Sequence, residues 1–277
     1  MSHNLYWAIY QNLEEGLIEL SNNIHIDDEQ LNVYSMKIAE MLIRISVEVE
    51  SIAKELYFKN GGDKPDDNKL FFDTDCLKYL NEKWDLSKKK IQVVSGQFYF
   101  NKEENNVLTP LKKAHNRGGE KWLKAYQAIK HNRRNSLKDA SLKNLIHALA
   151  GLFLLNLYYK NESIELGTDS KGMGFDASLG SKIFAVLPAK TLPVSTDEND
   201  EIENNNDEYV YIISPKKEDR EKLKDKLLEL IDKINNDPSP NKEFSEEYIQ
   251  QKVIEIDLEK IRNETKYEAI LNKKDKK

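Results

Sequence analysis

The sequence predicts a mainly α-helical fold with a small antiparallel β element and charged C-terminal helices, α+β overall. Apolar residues recur at helical spacing through most of the first 160 residues. In the final third, β-branched and aromatic residues cluster in two stretches, 181–194 and 208–213, which predict strands. Two highly charged stretches, 216–235 and 245–272, have helical patterns and end the chain.

The predicted helical core covers residues 1–160. Its helices are predicted over residues 4–20, 28–58, 75–86, 120–135 and 138–160. Asp27 and Asp28 are candidate caps of the second helix. The stretch 91–100 is rich in β-branched and aromatic residues and predicts a strand or an extended crossing segment, whereas 101–116 predicts a loop.

Residues 161–277 are predicted to form a second unit that packs on this core. It would consist of a β-hairpin, built from the two predicted strands, and the charged C-terminal helices. Between the strands lies an acidic, Asn-rich stretch, 196–207, which predicts a mobile hairpin loop.

The charge is concentrated in one part of the chain. The 277 residues carry 42 Lys and Arg against 48 Asp and Glu, a formal net charge of −6, which argues against a general DNA-coating protein. Between Lys112 and Lys143, however, ten basic residues are opposed only by Glu120 and Asp139, a net charge of +8. The remainder then carries −14. Such a basic island in an acidic protein indicates a phosphate-binding site.

Several protein classes do not fit the sequence. Cys76 is the only cysteine, so no internal disulfide can form, and no Cys/His cluster indicates structural zinc. No metal or cofactor is predicted. The N-terminus lacks the features of a secretory signal, and the longest uncharged apolar stretch, 144–159, is too short for a membrane span. We therefore expect a soluble, cytoplasmic protein without a membrane partner, in which Cys76 and His147 are structural residues.

The most informative segment is the predicted helix over 121–135. At about 100° per residue, its core face would carry Trp122, Ala125, Tyr126 and Ile129. The opposite face, within about a quarter turn, would carry Lys124, Gln127, His131 and Arg134. Lys130 would lie at the edge of that polar face, and Arg133 would project from the core side toward a buried acid.

This polar face suits chemistry on RNA, because metal-independent cleavage needs a group that exchanges a proton near neutral pH, as histidine does. Cleavage also needs cations that stabilise charge on the phosphate. We predict His131 for proton transfer, with Lys124 and Arg133 completing the catalytic set. The other candidate RNA-binding residues are Lys121, Gln127, Lys130, Asn132 and Arg134. The alternative is a solvated basic helix face with one incidental histidine.

The same segment resembles a known superfamily. A Lys-His-x-Arg sequence ends one helix and an apolar helix over 140–159 follows soon after, as in HEPN proteins. The closer resemblance is to a bacterial HEPN-like group with the signature W…YN.(I/V)KH.R. The matching residues are Trp122, Tyr126, Ile129, Lys130, His131 and Arg133. The resemblance covers roughly residues 1–160, where the stretch 48–55 is similar to that group's long second helix.

The resemblance implies a HEPN-like helical bundle of four or five helices and a homodimer. Many HEPN proteins are metal-independent endoribonucleases of toxin or phage-defence systems, and their composite site joins two copies of an R-x(4–6)-H motif. By this resemblance His131 would be the motif histidine. The chain departs from the motif upstream, because Ala125 and Tyr126 stand six and five residues before His131 and no arginine occupies the position. Lys124, seven residues before His131, would be the cationic substitute, although lysine lacks the bidentate geometry of arginine.

Two further interpretations stay open from the sequence. One is a non-catalytic HEPN-like module that binds RNA, a nucleotide or a partner protein, and the other is a helical assembly protein that binds a partner through its C-terminal helices. For Glu50 the alternatives are an ion pair, with Lys130 or Arg133 as the partner, and a solvated carboxylate. His115 and Arg117 would either extend the phosphate-binding surface or belong to a plain loop.

Overall fold

The structure is a computed structural model that describes residues 4–168, 174–190, 206–235 and 264–273. Within these ranges the chain is mainly helical with short strands in small sheets, which confirms the prediction of a mainly α-helical chain with some β structure. The α-helices are α1 (Leu5–Ser21), α2 (Met36–Lys59), α3 (Lys78–Trp84), α4 (Glu103–Asn106), α5 (Lys121–Ser136), α6 (Leu142–Lys160) and α7 (Lys217–Asn235). The strands are β1 (Ile26–Asp27), β2 (Ile91–Val93), β3 (Phe98–Tyr99), β4 (Val107–Leu108), β5 (Ile164–Leu166), β6 (Phe184–Val186), β7 (Pro188–Lys190), β8 (Tyr211–Pro215) and β9 (Tyr267–Leu271).

Helix α6 lies at the centre of the core because it is apolar on nearly every side. All its residues from Ala148 to Tyr158 are buried. Helices α1, α2 and α5 contact α6, and each of them buries one apolar face. On α2 this face repeats at helical spacing, at Ile38, Leu42, Ile45, Val49, Ile52 and Leu56. The predicted helical patterns therefore pack into one continuous hydrophobic core.

Helix α2 begins at Met36, so the prediction of a start near residue 28 is wrong. Its cap is Ser35, whose Oγ accepts a 3.2 Å hydrogen bond from the Ile38 amide. Asp27 and Asp28 instead accept hydrogen bonds from backbone amides, Asp27 within its own turn and Asp28 from the loop after β3. Short polar side chains that hydrogen-bond to nearby backbone compete with helical hydrogen bonds. For that reason the helix begins at a later residue than its apolar pattern predicts.

The C-terminal strands pair differently from the predicted antiparallel hairpin. β7 and β8 run parallel, with Ala189 opposite Ile212, so the chain between them is not a hairpin loop. β9 pairs antiparallel with both β8 and β5, in a mixed sheet of order β5-β9-β8-β7. The predicted helix over 245–272 is therefore wrong for residues 267–271, where pairing with two strands distant in sequence decides the conformation. Most of that predicted helix, and residues 196–205 of the predicted loop, lie outside the described residues.

The residues after 160 are joined to the helical core by a shared sheet and a buried carboxylate. β6 pairs antiparallel with β2, which itself pairs with β4. Glu14 of α1 is buried, and its carboxylate accepts hydrogen bonds from the hydroxyls of Tyr10 and Ser181. It also accepts hydrogen bonds of 3.0 and 3.1 Å from the amides of Lys182 and Ile183. Because these donors replace its lost hydration, Glu14 fixes the turn that leads into β6.

Helix α7 matches the helix predicted over 216–235. Leu223 is its buried apolar residue, and Leu228 is exposed. Binding of a protein partner through the C-terminal helices stays a prediction. None of the described helices combines the length and the apolar composition that a membrane crossing requires.

Candidate nucleic-acid interface

Helix α5 orients the side chains of the candidate site. Its predicted core face is confirmed, because the four predicted positions are buried: Trp122, Ala125, Tyr126 and Ile129. The Trp122 indole also donates a 3.0 Å hydrogen bond to the Pro110 carbonyl oxygen, which holds the start of α5 against the preceding loop. With this side of α5 anchored in the core, Lys121 and Lys124 are exposed on the other.

A cleft of about 440 Å³ lies between α5 and the start of α6. Its polar lining includes Lys121, Lys124, Lys138, Asp139, Ser141 and Asn144. Three lysines therefore line this cleft together with one acidic residue, Asp139. Within the described ranges none of the three lysines forms an ion pair. We call this group of residues the lysine cleft.

The far wall of the lysine cleft is held by hydrogen bonds at the start of α6. Ser141 caps the helix, because its Oγ accepts a 3.3 Å hydrogen bond from the Asn144 amide. The Asn144 side chain donates a 2.8 Å hydrogen bond to the Asp139 carbonyl oxygen. The Leu142 amide donates a 2.8 Å hydrogen bond to the Val33 carbonyl oxygen, which ties the chain before α2 to the same wall.

Lys130 points away from the lysine cleft, toward α2. Its ammonium lies 3.4 Å from the Tyr126 hydroxyl and 5.3 Å from the centre of the Tyr126 ring. The Glu50 carboxyl of α2 interacts electrostatically with both Lys130 and Tyr126. Desolvation raises the pKa of Glu50, and the charge of Lys130 and the Tyr126 hydroxyl act in the opposite direction. The charge of Lys130, and not that of Arg133, therefore acts on Glu50, although within the described ranges the two side chains form no ion pair.

The helical path of α5 is interrupted at Asn132, whose φ of −147° and ψ of 67° are not helical. The predicted placement of Arg134 on the face of Lys124 is wrong, because positions after 132 no longer follow the 100° rotation of the helix. The predicted burial contact of Arg133 is also wrong, since its side chain is exposed and forms no ion pair within the part of the chain that the structure describes. No residue from Lys130 to Asn135 is buried, so packing does not hold this turn, and asparagine is a weak helix former.

His131 is the last helical residue before this break, and its side chain is exposed. It lies seven residues after Lys124, which places it on nearly the same side of the helix and about 10 Å further along the axis. Gln127 is partly buried and does not belong to the lining of the lysine cleft. The predicted polar face thus divides into the lysine cleft, His131 beyond its end, and the exposed turn of Asn132, Arg133 and Arg134.

The sequence interpretation missed the contributions of Lys138, Ser141 and Asn144. Lys138 belongs to the basic island, so the local charge indicated it as a candidate phosphate-binding residue. The helical pattern, however, assigned it to the next helix, predicted over 138–160. Ser141 and Asn144 gave no signal of binding, because a helix cap and its third following residue are common structural features.

Three residues outside the lysine cleft, His147, Cys76 and Glu120, have structural surroundings. His147 is partly buried, and desolvation, with the charges of Lys143 and Lys121, lowers its pKa to about 4. Burial raises the pKa of the Cys76 thiol to about 12, so both residues are uncharged at neutral pH, as the structural interpretation predicts. Desolvation raises the pKa of Glu120, whose carboxylate accepts a hydrogen bond from the Lys113 amide.

Within the described ranges no group of three His, Cys, Asp or Glu side chains has the arrangement of a metal site. Comparison with protein-family models, with curated proteins and with solved structures finds no match for this chain. The HEPN resemblance therefore depends on the residue pattern of 122–133 and stays a prediction.

Proposed function

We propose that the protein binds RNA through the phosphate groups, and that the lysine cleft is the binding site. The observation that carries this proposal is the convergence of Lys121, Lys124 and Lys138 on one cleft in which Asp139 is the opposing charge. An acidic protein gains nothing structural from collecting cations in a cleft, since their mutual repulsion opposes folding. Phosphates would relieve that repulsion, and neutralising them releases counterions.

The test measures RNA affinity against salt concentration by fluorescence anisotropy. A variant with Lys121→Gln, Lys124→Gln and Lys138→Gln should lose affinity by about 100-fold and lower the salt slope by about 2. A matched control, with Lys69→Gln, Lys217→Gln and Lys224→Gln, removes the same charge from other surfaces and should change affinity by about 3-fold or less. Equal losses in the two variants, or absence of RNA binding in the unmodified protein, would reject the proposal.

A second candidate function is metal-independent endoribonuclease activity of the HEPN type, in a toxin or phage-defence system, as the sequence resemblance implies. The observation that favours it is the exposed side chain of His131, which helical spacing places on nearly the same side of α5 as Lys124. As a general base it would take the proton of a ribose 2′-hydroxyl while the 2′-oxygen bonds to phosphorus and the P–O5′ bond breaks. In a homodimer the second His131 would protonate the leaving 5′-oxygen, and Arg133 and Arg134 would stabilise the phosphate charge.

Cleavage is tested by incubating purified protein with tRNA and total RNA beside His131→Ala. Activity that depends on His131 should produce 2′,3′-cyclic phosphate and 5′-hydroxyl ends and should fall by about 100-fold or more in the variant. Equal absence of cleavage from both proteins would reject the enzyme and leave RNA binding, the non-catalytic interpretation, in place.

A further inference from the structure

Tyr34 is an exposed aromatic residue at the edge of the lysine cleft. It lies in the extended segment before α2 and pairs with Ser141 in an antiparallel bridge. Residues directly opposite in such a pair have their side chains on the same side, with Cβ atoms about 5 Å apart. Because Ser141 and Asn32 line the lysine cleft, the bridge puts Tyr34 at the rim of the cleft, next to its lining residues.

The side chain of Tyr34 is exposed next to the bridge that holds its backbone. Its exposed fraction is 51 %, and Met36, two residues later, is 49 % exposed. Among the described residues its hydroxyl forms no hydrogen bond and its ring packs on no other aromatic ring. The bridge to Ser141 and the Val33 hydrogen bond to α6 hold the backbone, so the ring is presented from a fixed position.

We propose that Tyr34 stacks on an unpaired base of single-stranded RNA whose phosphates bind the lysine cleft. This inference rests on the proposed RNA binding and names its substrate class. Cations that follow the backbone together with an aromatic ring that stacks on a base are the combination that binds single strands without a strict sequence requirement. In a duplex the bases are paired and stacked on each other, so Tyr34 has nothing to stack on and only the phosphate contacts remain.

The test compares a short fluorescein-labelled oligouridylate with its duplex with oligoadenylate, by anisotropy, using the full chain. Tyr34→Ala should weaken single-strand binding by about 10-fold, because it removes the ring on which one base would stack. Tyr34→Phe keeps the ring and should bind within about 2-fold of the unmodified protein. Duplex affinity should be the same in all three proteins. Since Tyr34 is exposed, thermal unfolding of the variants should match the unmodified protein.

The outcomes separate this inference from the proposal it rests on. If Lys124→Gln weakens single-strand binding while Tyr34→Ala does not, stacking is overturned and phosphate binding stands. If Tyr34→Ala weakens duplex and single strand equally, the selectivity for single strands is overturned. If neither variant changes RNA affinity, both proposals fall.

Discussion

Lys124 and Lys130 stand six residues apart on the same helix, and their surroundings differ. Lys124 lines the lysine cleft, and neither lysine forms an ion pair within the described ranges. Lys130 contacts Tyr126 and shares its surroundings with the carboxyl of Glu50. We therefore expect the ammonium of Lys124 to be available to a phosphate, whereas that of Lys130 lies against Tyr126 and within the electrostatic influence of Glu50.

The difference shows that net charge along a helix does not identify the cations that can bind a ligand. A lysine next to a partly desolvated carboxylate compensates that carboxylate, and binding a phosphate would leave the carboxylate without its partner. A lysine beside other lysines gains from a phosphate. The position of Glu50 on α2 decides which lysine has a carboxylate beside it. The residue pattern of α5 alone holds no information about that position.

The largest expected effect is that one lysine variant loses RNA affinity and the other loses stability. Lys124→Gln should weaken RNA binding by about 5- to 10-fold and leave the free energy of unfolding within about 0.5 kcal/mol. Lys130→Gln should change RNA affinity by about 2-fold or less but lower the free energy of unfolding by about 1 kcal/mol, because Glu50 loses its cation. Anisotropy and urea unfolding measure the two quantities, and a pair of variants that behave alike would contradict the comparison.

A smaller effect is expected when Glu50 is neutralised. Glu50→Gln frees Lys130 and should raise RNA affinity by about 2-fold at pH 7. The pKa of Glu50 is raised in the folded state, so its ionisation opposes folding. The stability of the unmodified protein relative to Glu50→Gln should therefore fall as the pH rises from about 4 to about 7. Urea unfolding of both proteins at several pH values measures this difference in stability. If the unmodified protein gained stability relative to Glu50→Gln as the pH rises, the assigned pKa shift would be contradicted.

The smallest effect uses His147 as a reporter of the lysine cleft. The charge of Lys121 contributes to the lowered pKa of His147, so Lys121→Gln should raise that pKa by less than about one unit. Lys124→Gln, which removes the same charge from the next turn, should leave it unchanged. NMR titration of His147 measures both variants, and equal shifts would show that Lys121 is not oriented as described.

The lowered pKa of His147 also predicts how the free energy of unfolding changes with pH. Because the pKa of His147 falls from 6.5 to about 4 on folding, the unfolded chain takes up its proton first. Its contribution to stability is present above about pH 6.5 and is lost as the pH falls toward about 4. His147→Asn should lack this dependence.

The helices were predictable because each carries its own apolar pattern. α1, α5, α6 and α7 lie close to their predicted bounds, and the core face of α5 is correct at Trp122, Ala125, Tyr126 and Ile129. The strands were less predictable, since β7, β8 and β9 pair with partners far along the chain. A short half-buried stretch such as β9 does not encode which strand it will meet.

By itself the sequence determined the fold class, the basic island and the lysines of α5, because composition and helical periodicity are local properties. Only the tertiary structure decided which of those lysines are available, since that depends on Glu50 of α2, on Lys138 and Ser141 near the start of α6, and on the break at Asn132. The helix wheel assumes one continuous rotation and no neighbours. Charge neutralisation and backbone breaks arise from contacts that such a projection leaves out.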